Sequence, residues 1–211
     1  MNKDPEDKLY KTAILLSIFT IIFNLFEGLA SVYFGYKDET LTLFGFGADS
    51  FIEMISAAGI YVMVKRIMTN PQSDRNKFET TSLQITGMSF YLLSAGLLFS
   101  VVVNLYNGNK PRTAIAGVII ALISIAAMVS LIYGKQYIGK KLNSVPIIAD
   151  ANCTRVCVYM SLVLLISSLI YEMTGFGYMD SIGTIGIIYL SVKEGKEAFE
   201  KAKVSGTKYQ L

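Results

Sequence analysis

Residues 41–64 have the sequence LTLFGFGADSFIEMISAAGIYVMV, which is apolar apart from small polar residues and two acids. About 20 mostly apolar residues, rising 1.5 Å each in an α-helix, cross the roughly 30 Å of hydrocarbon in a bilayer. The chain has six such apolar runs and lacks the alternating pattern of outer-membrane strands. These features predict an all-α integral membrane bundle of six transmembrane helices. The expected spans are 12–34, 41–64, 81–106, 113–134, 145–171 and 177–192.

The composition of the chain agrees with a membrane protein. Of its 211 residues 53% are hydrophobic and 17% are charged, and the mean hydropathy is +0.48, whereas soluble domains carry roughly 25% charged residues. The chain has no histidine and only two cysteines. These counts exclude His-based triads, His₃ zinc sites, HExxH proteases, disulfide frameworks and Cys₄ zinc ribbons. No nucleophile–base constellation is visible, so we do not expect an enzyme.

The charges outside the spans predict the topology. If the N-terminus is cytoplasmic, fifteen of the 19 Lys and Arg residues lie on that side of the membrane and three lie on the other. The cytoplasmic set includes Lys135, Lys140 and Lys141, which we place in a connector over 135–144. By the positive-inside rule both termini are cytoplasmic, and the basic residues need no nucleic-acid partner to explain them.

The connectors between the spans are too short to hold a soluble domain. We expect a single transmembrane domain over 1–211, ending in a short cytoplasmic tail over 193–211. The polar N-terminus, followed by a long apolar run, differs from a cleaved signal peptide, so we expect the first span to be retained. A short chain without targeting signals favours a prokaryotic plasma (inner) membrane.

Ionisable side chains inside spans are costly and usually face the bundle interior or a water-filled path. Asp49 and Glu53 lie four residues apart on one face of the second span. Two adjacent carboxylates repel each other and lose hydration, and a divalent cation removes that cost. The alternative is a neutral acid pair that hydrogen-bonds to a neighbouring helix.

The fifth span carries the matching pair, Cys153 and Cys157, again four residues apart. On its own such a pair can be two small apolar side chains. Together with the carboxylates it forms a set of two oxygen and two sulfur ligands, which suits Zn²⁺ or a softer ion such as Cd²⁺. Spans two and five run antiparallel, so we expect Asp49 to be level with Cys157 and Glu53 with Cys153.

The remaining intramembrane charges have less specific interpretations. Glu27 is either a single buried, protonated acid or an accessory or proton-relay group. Asp150 and Asp180 lie near span ends, where they either reach the interface or serve as accessory groups. Arg155 lies on a different face from the cysteines, and a structural ion pair or a side chain reaching the interface explains it best.

Three segments carry a resemblance to a known family. They are LFGFGADSFIEMISA (43–57), PIIADANCTRVCVYMS (146–161) and GYMDSIGTIGIIYLSVKEG (177–195). The chain resembles the transmembrane region of the cation diffusion facilitators. The resemblance implies six spans and divalent-metal ligands at Asp49 and Glu53. It also implies that Cys153 replaces the family's His, Cys157 its Asp, and that Asp180 corresponds to its acidic residue in span six.

Two departures from the family pattern bear on function. The chain is too short for the usual cytoplasmic C-terminal domain and looks like the short branch of the family. The cysteine pair makes a hard ion such as Mn²⁺ or Mg²⁺ a poor substrate. The family's members are homodimers, which implies a homodimer here with the lipid bilayer around it.

The resulting hypothesis is proton-coupled efflux of divalent transition-metal cations, Zn²⁺ first, by alternating access. Small residues allow close helix packing, and we expect four glycines to lie on the packing faces of spans three and six: Gly87, Gly96, Gly183 and Gly186. The rival hypotheses are a membrane metal-binding or regulatory protein without transport, and a small-molecule exporter with an incidental acid pair. The order among Zn²⁺, Cd²⁺, Co²⁺ and Fe²⁺ is left open.

Overall fold

The computed structural model describes residues 5–69, 75–107 and 110–207. Within these ranges the chain forms six helices and no strand, which confirms the all-α prediction. They are α1 (Pro5–Lys37), α2 (Leu41–Thr69), α3 (Arg75–Asn107), α4 (Ile115–Lys141), α5 (Val145–Thr174) and α6 (Met179–Thr207). Residues 208–211 of the expected tail, and residues 70–74 and 108–109 of two expected connectors, lie outside the described residues.

The helices extend beyond the expected spans at several ends. Helix α4 continues to Lys141, so residues 135–141 of the expected connector over 135–144 are helical and only residues 142–144 separate α4 from α5. Helices α1 to α5 are long and apolar enough to cross a bilayer. Helix α6 is similarly long but becomes charged after Val192, so its span over 177–192 stays a prediction.

Helix α1 shows how polarity is distributed across the bundle. Its inward face is polar, and the buried residues are Ser17, Thr20, Asn24, Glu27 and Ser31. Its outward face is apolar, and the exposed residues include Leu15, Phe19, Ile22, Phe26 and Leu29. An apolar exterior around a polar interior is the arrangement that lipid requires and water does not favour. The described chain is therefore an α-helical integral membrane bundle.

Helices α2 and α5 occupy the centre of this bundle. The most extensive helix contacts are those of α1 with α2, α3 with α6 and α4 with α5. Helix α2 also contacts both α5 and α6. Helices α2 to α6 all contribute buried apolar side chains to one core. Its members are Leu43, Phe46, Ile52, Phe90, Leu97, Ala121, Cys153, Met160, Leu164 and Ile187. Side chains between α2 and α5 are therefore buried inside the bundle.

Glycines mark the closest helix contacts. A Cβ added at Gly87 would lie 2.9 Å from the Phe199 ring, and one at Gly183 would lie 2.7 Å from the Ser167 Cβ. A Cβ at Gly186 would lie 3.0 Å from Val163, so all three glycines lie at helix contacts as expected. Gly96 does not, since it is exposed and nothing lies within 4 Å of an added Cβ. The expectation for Gly96 is wrong because its face of α3 points outward.

A tight contact between α2 and α1 gives a stability prediction. A Cβ at Gly47 would lie 2.7 Å from the Ser31 Cβ and 2.9 Å from the Val32 backbone nitrogen. We expect Gly47→Ala to destabilise the fold by about 1–3 kcal/mol through overpacking, measured by thermal unfolding of the solubilised protein. Gly96→Ala is the matched control, because it gains the same helix propensity without a clash. A Gly47→Ala protein that unfolds no earlier than Gly96→Ala would contradict this reading of the contact.

Candidate metal centre

The two residue pairs singled out in the sequence face each other between α2 and α5. Asp49, Glu53, Cys153 and Cys157 are all buried, with at most 5% of each residue exposed. The Cys157 thiol donates a hydrogen bond to Oδ2 of Asp49 at 3.3 Å. The expected level of Asp49 with Cys157 is therefore confirmed, and the carboxylate and thiol are in direct contact.

Glu53 contacts α5 at Thr154, which adjoins Cys153, the residue that the sequence predicts to be level with Glu53. Its Oε1 accepts a hydrogen bond of 2.6 Å from the Thr154 hydroxyl, one residue beyond Cys153 along α5. Its Oε2 is buried and has no hydrogen-bond partner, and the same holds for Oδ1 of Asp49. Each acid of the pair thus has one oxygen engaged with α5 and one unsatisfied oxygen in the interior, where an unpaired acceptor is costly.

The four residues do not form a finished coordination sphere. In the described part of the chain, no three Asp, Glu, Cys or His side chains converge closely enough to hold a metal ion. What the structure brings together is the contact between Asp49 and Cys157 beside the contact between Glu53 and Thr154. Metal binding at these residues requires side-chain rotation or a small movement of α2 against α5.

A buried lysine, missed in the sequence, completes the environment of Glu53. Lys135 of α4 is 2% exposed, and its Nζ lies 2.8 Å from Oδ2 of Asp150 and 3.9 Å from Oε1 of Glu53. The same Nζ donates to the Thr154 hydroxyl at 2.8 Å. Helical spacing could have found it, because Lys135 follows buried Met128 and Leu131 on one face of α4.

The structure places Asp150 inside the bundle and Arg155 on its outer surface. Asp150 is 4% exposed and pairs with Lys135, and its Oδ1 also accepts a 3.4 Å hydrogen bond from Ser56. The expected reach of Asp150 to the interface is wrong, because its charge is balanced inside the bundle. Arg155 is exposed on the outer side of α5 and lies away from the cysteine face, as expected.

Glu27 is buried on α1, next to the α2 face that carries Asp49. Its Oε2 accepts a 2.9 Å hydrogen bond from Ser50, and its Oε1 has no hydrogen-bond partner. Glu27 is thereby linked to the residue that follows Asp49. An accessory or proton-relay role for Glu27 stays a prediction.

Two acids near helix ends accept hydrogen bonds from backbone N–H groups at the N-termini of other helices. Asp180 of α6 accepts hydrogen bonds from the backbone N–H groups of Leu41 at 2.8 Å and Thr42 at 3.0 Å, at the first turn of α2. Glu172 of α5 accepts from the backbone N–H of Ala114, just before α4, and from the Thr113 hydroxyl. Both carboxylates satisfy donors that a helix N-terminus leaves unpaired.

The contacts of Asp180 predict a structural effect. Asp180→Ala leaves two buried N–H groups without an acceptor, and we expect a loss of about 2–3 kcal/mol of stability, measured by thermal unfolding. Asp180→Asn keeps one acceptor and should lose less. Metal affinity should change little in either variant. Unchanged stability together with lost metal binding would instead assign Asp180 to the metal pathway.

These observations define a polytopic α-helical membrane protein with a buried, acid-rich interior. Residues 13–204 match the family model described as the cation efflux transmembrane domain, and the chain belongs to that cation efflux family. The resemblance drawn from the three sequence segments is therefore confirmed. The family is one of transporters rather than enzymes.

The chain is also similar to an uncharacterized transporter of Methanocaldococcus jannaschii. The two are 24% identical over 181 residues, which is 83% of this chain and 63% of the relative. The chain thus spans less than two thirds of the length of that relative. The similarity supports membership of a transporter family.

Proposed function

We propose that this protein exports divalent transition-metal cations, Zn²⁺ first and Cd²⁺ next, through a site formed by Asp49, Glu53, Cys153 and Cys157. The observation that supports this most directly is the contact between Asp49 and Cys157 across the α2–α5 interface. The unsatisfied oxygens Oδ1 of Asp49 and Oε2 of Glu53 lie in the same interior. A divalent cation would satisfy both oxygens and balance both charges.

The ligand set also suggests how transport is coupled to protons. Thiols and carboxylic acids must lose their protons to bind a metal, so binding releases protons and protonation releases metal. The Cys157 thiol already donates its proton toward Asp49, which places an exchangeable proton at the site. A pH gradient across the membrane can therefore drive metal out of the site toward the acidic side.

We infer alternating access, which the burial of the site supports. With all four side chains at most 5% exposed, an ion can reach them only if helices move apart on one side of the membrane. At Gly183 and Gly186 helix α6 lies close to α5, because small residues let helix backbones approach each other, and we infer that α6 moves against α5 there. We also propose that the protein lies in a prokaryotic plasma membrane and forms a homodimer there. Crosslinking in native membranes tests the homodimer.

Flux through reconstituted protein tests the function. The full chain in proteoliposomes should transport Zn²⁺ and Cd²⁺ faster than Mn²⁺, and reversing the pH gradient should reverse the direction of net flux. Protein-free liposomes supply the background rate. Stoichiometric binding of Zn²⁺ without flux at any gradient would reject the transporter and favour a membrane metal-binding protein.

A further inference from the structure

Lys135 is the buried cation nearest to the proposed metal ligands in the described part of the chain. Its ammonium contacts Asp150 at 2.8 Å and the Thr154 hydroxyl at 2.8 Å. Thr154 in turn donates to Glu53 at 2.6 Å, and Lys135 itself lies 3.9 Å from the same Glu53 oxygen. A chain of contacts thus runs from Asp150 through Lys135 and Thr154 to one proposed ligand.

The two acids share this ammonium unequally. Asp150 makes a direct ion pair with it, whereas Glu53 is reached mainly through Thr154 and at a longer direct distance. A metal ion on Glu53 would face a positive charge only a few ångströms away, and such repulsion is strong in a poorly polarisable interior. Lysine has a flexible stem and three donors, so its ammonium can leave Glu53 while keeping Asp150.

We propose that Lys135 is a tethered counter-cation that shares its single positive charge between Asp150 and Glu53 between transport cycles and that an incoming metal displaces from Glu53. This inference rests on the proposed metal site. Asp150 then holds the ammonium while metal is bound, and the return of Lys135 toward Glu53 promotes metal release. Lys135 is a positioning residue that sets metal affinity without ligating the metal.

Metal binding to the full chain, reduced and in detergent, tests the proposal with Cd²⁺ alone as the probe. Lys135→Met should bind Cd²⁺ at least about tenfold more tightly and release it more slowly to a chelator, because the repelling charge is gone. Lys135→Arg keeps the charge and should bind no more tightly than the parent. Lys140→Met removes an exposed lysine of the same helix and should leave the affinity unchanged.

A purely structural lysine gives a different pattern. Lys135→Met would then lower the unfolding temperature while its Cd²⁺ affinity stayed at or below that of the parent, and this result overturns the proposal. Because Lys135→Met leaves Asp150 unpaired, the double variant Lys135→Met/Asp150→Asn removes both charges and should still bind more tightly. Its failure to do so, when folded, also overturns the proposal.

The outcomes separate this inference from the proposed function. If the parent binds Cd²⁺ and Lys135→Met binds no more tightly, the counter-cation is rejected and the metal site stands. If neither the parent nor any Lys135 variant binds Cd²⁺, both are rejected. Binding that is undetectable in the parent and clear in Lys135→Met supports both.

Discussion

Asp49→Ala is expected to reduce Zn²⁺ and Cd²⁺ flux in proteoliposomes by at least about 100-fold, since losing even an outer-shell partner of a metal ligand costs 10–100-fold. Asp49 is the acid that directly contacts the fifth-helix thiol, at 3.3 Å from the Cys157 Sγ. Its removal takes away one proposed ligand and the acceptor of the Cys157 proton. Initial rates of metal uptake, normalised to reconstituted protein, measure the effect.

The matched control for this loss is a half-buried acid at the surface of the protein. Asp7, in the first turn of α1, pairs with Lys11 at the surface. Asp7→Ala removes the same charge from the chain and should leave the flux within about twofold of the parent, since exposed ion pairs contribute little. If Asp49→Ala and Asp7→Ala transport equally well, the proposed site is wrong.

The second large effect concerns which metal is chosen. Exchanging the thiols for the ligands of the common family pattern, as Cys153→His/Cys157→Asp, should shift preference from Cd²⁺ toward harder ions. We expect the ratio of Cd²⁺ to Mn²⁺ affinity to fall by at least about tenfold, because thiolates favour soft ions and carboxylates favour hard ones. Calorimetric titration of both metals into the parent and the double variant measures the ratio.

The same double variant has a second consequence. An aspartate at position 157 would stand beside Asp49, so two carboxylates would share a buried site. Divalent metal relieves their repulsion, and thermal stability should become more dependent on metal than in the parent. Cys153→Ser/Cys157→Ser is the control, since it removes the thiols without adding charge. An unchanged metal ratio in the His/Asp variant would show that the cysteines do not select the ion.

The sequence predicted the parts of the fold and site that depend on local periodicity. Long apolar runs are enough to place α1 to α5, because a helix must satisfy its own backbone in lipid. The spacing of Asp49 with Glu53, and of Cys153 with Cys157, follows from the helical repeat. The antiparallel order of spans two and five was then sufficient to put Asp49 level with Cys157.

The sequence did not reveal contacts that depend on how helices meet. Lys135 looked like an interfacial charge, because the positive-inside rule counts a lysine near a span end without regard to its partners. Only the packing of α4 on α5 places it against Asp150 and Thr154. Asp180 likewise contacts the start of α2 because of tertiary packing across 138 to 139 positions of sequence.

The carboxylates of Asp180 and Glu172 join different helices at one end of the bundle. Both hold the starts of other helices at the same end of the bundle, where Arg112 also pairs with Glu39. Separating the helices at this end replaces these hydrogen bonds to carboxylates by hydrogen bonds to water, at a cost of about 1.5–3 kcal/mol each. Opening this end, which the predicted topology makes the outer one, requires these hydrogen bonds to break, whereas opening the cytoplasmic end requires Lys135 to separate from Asp150 and Thr154.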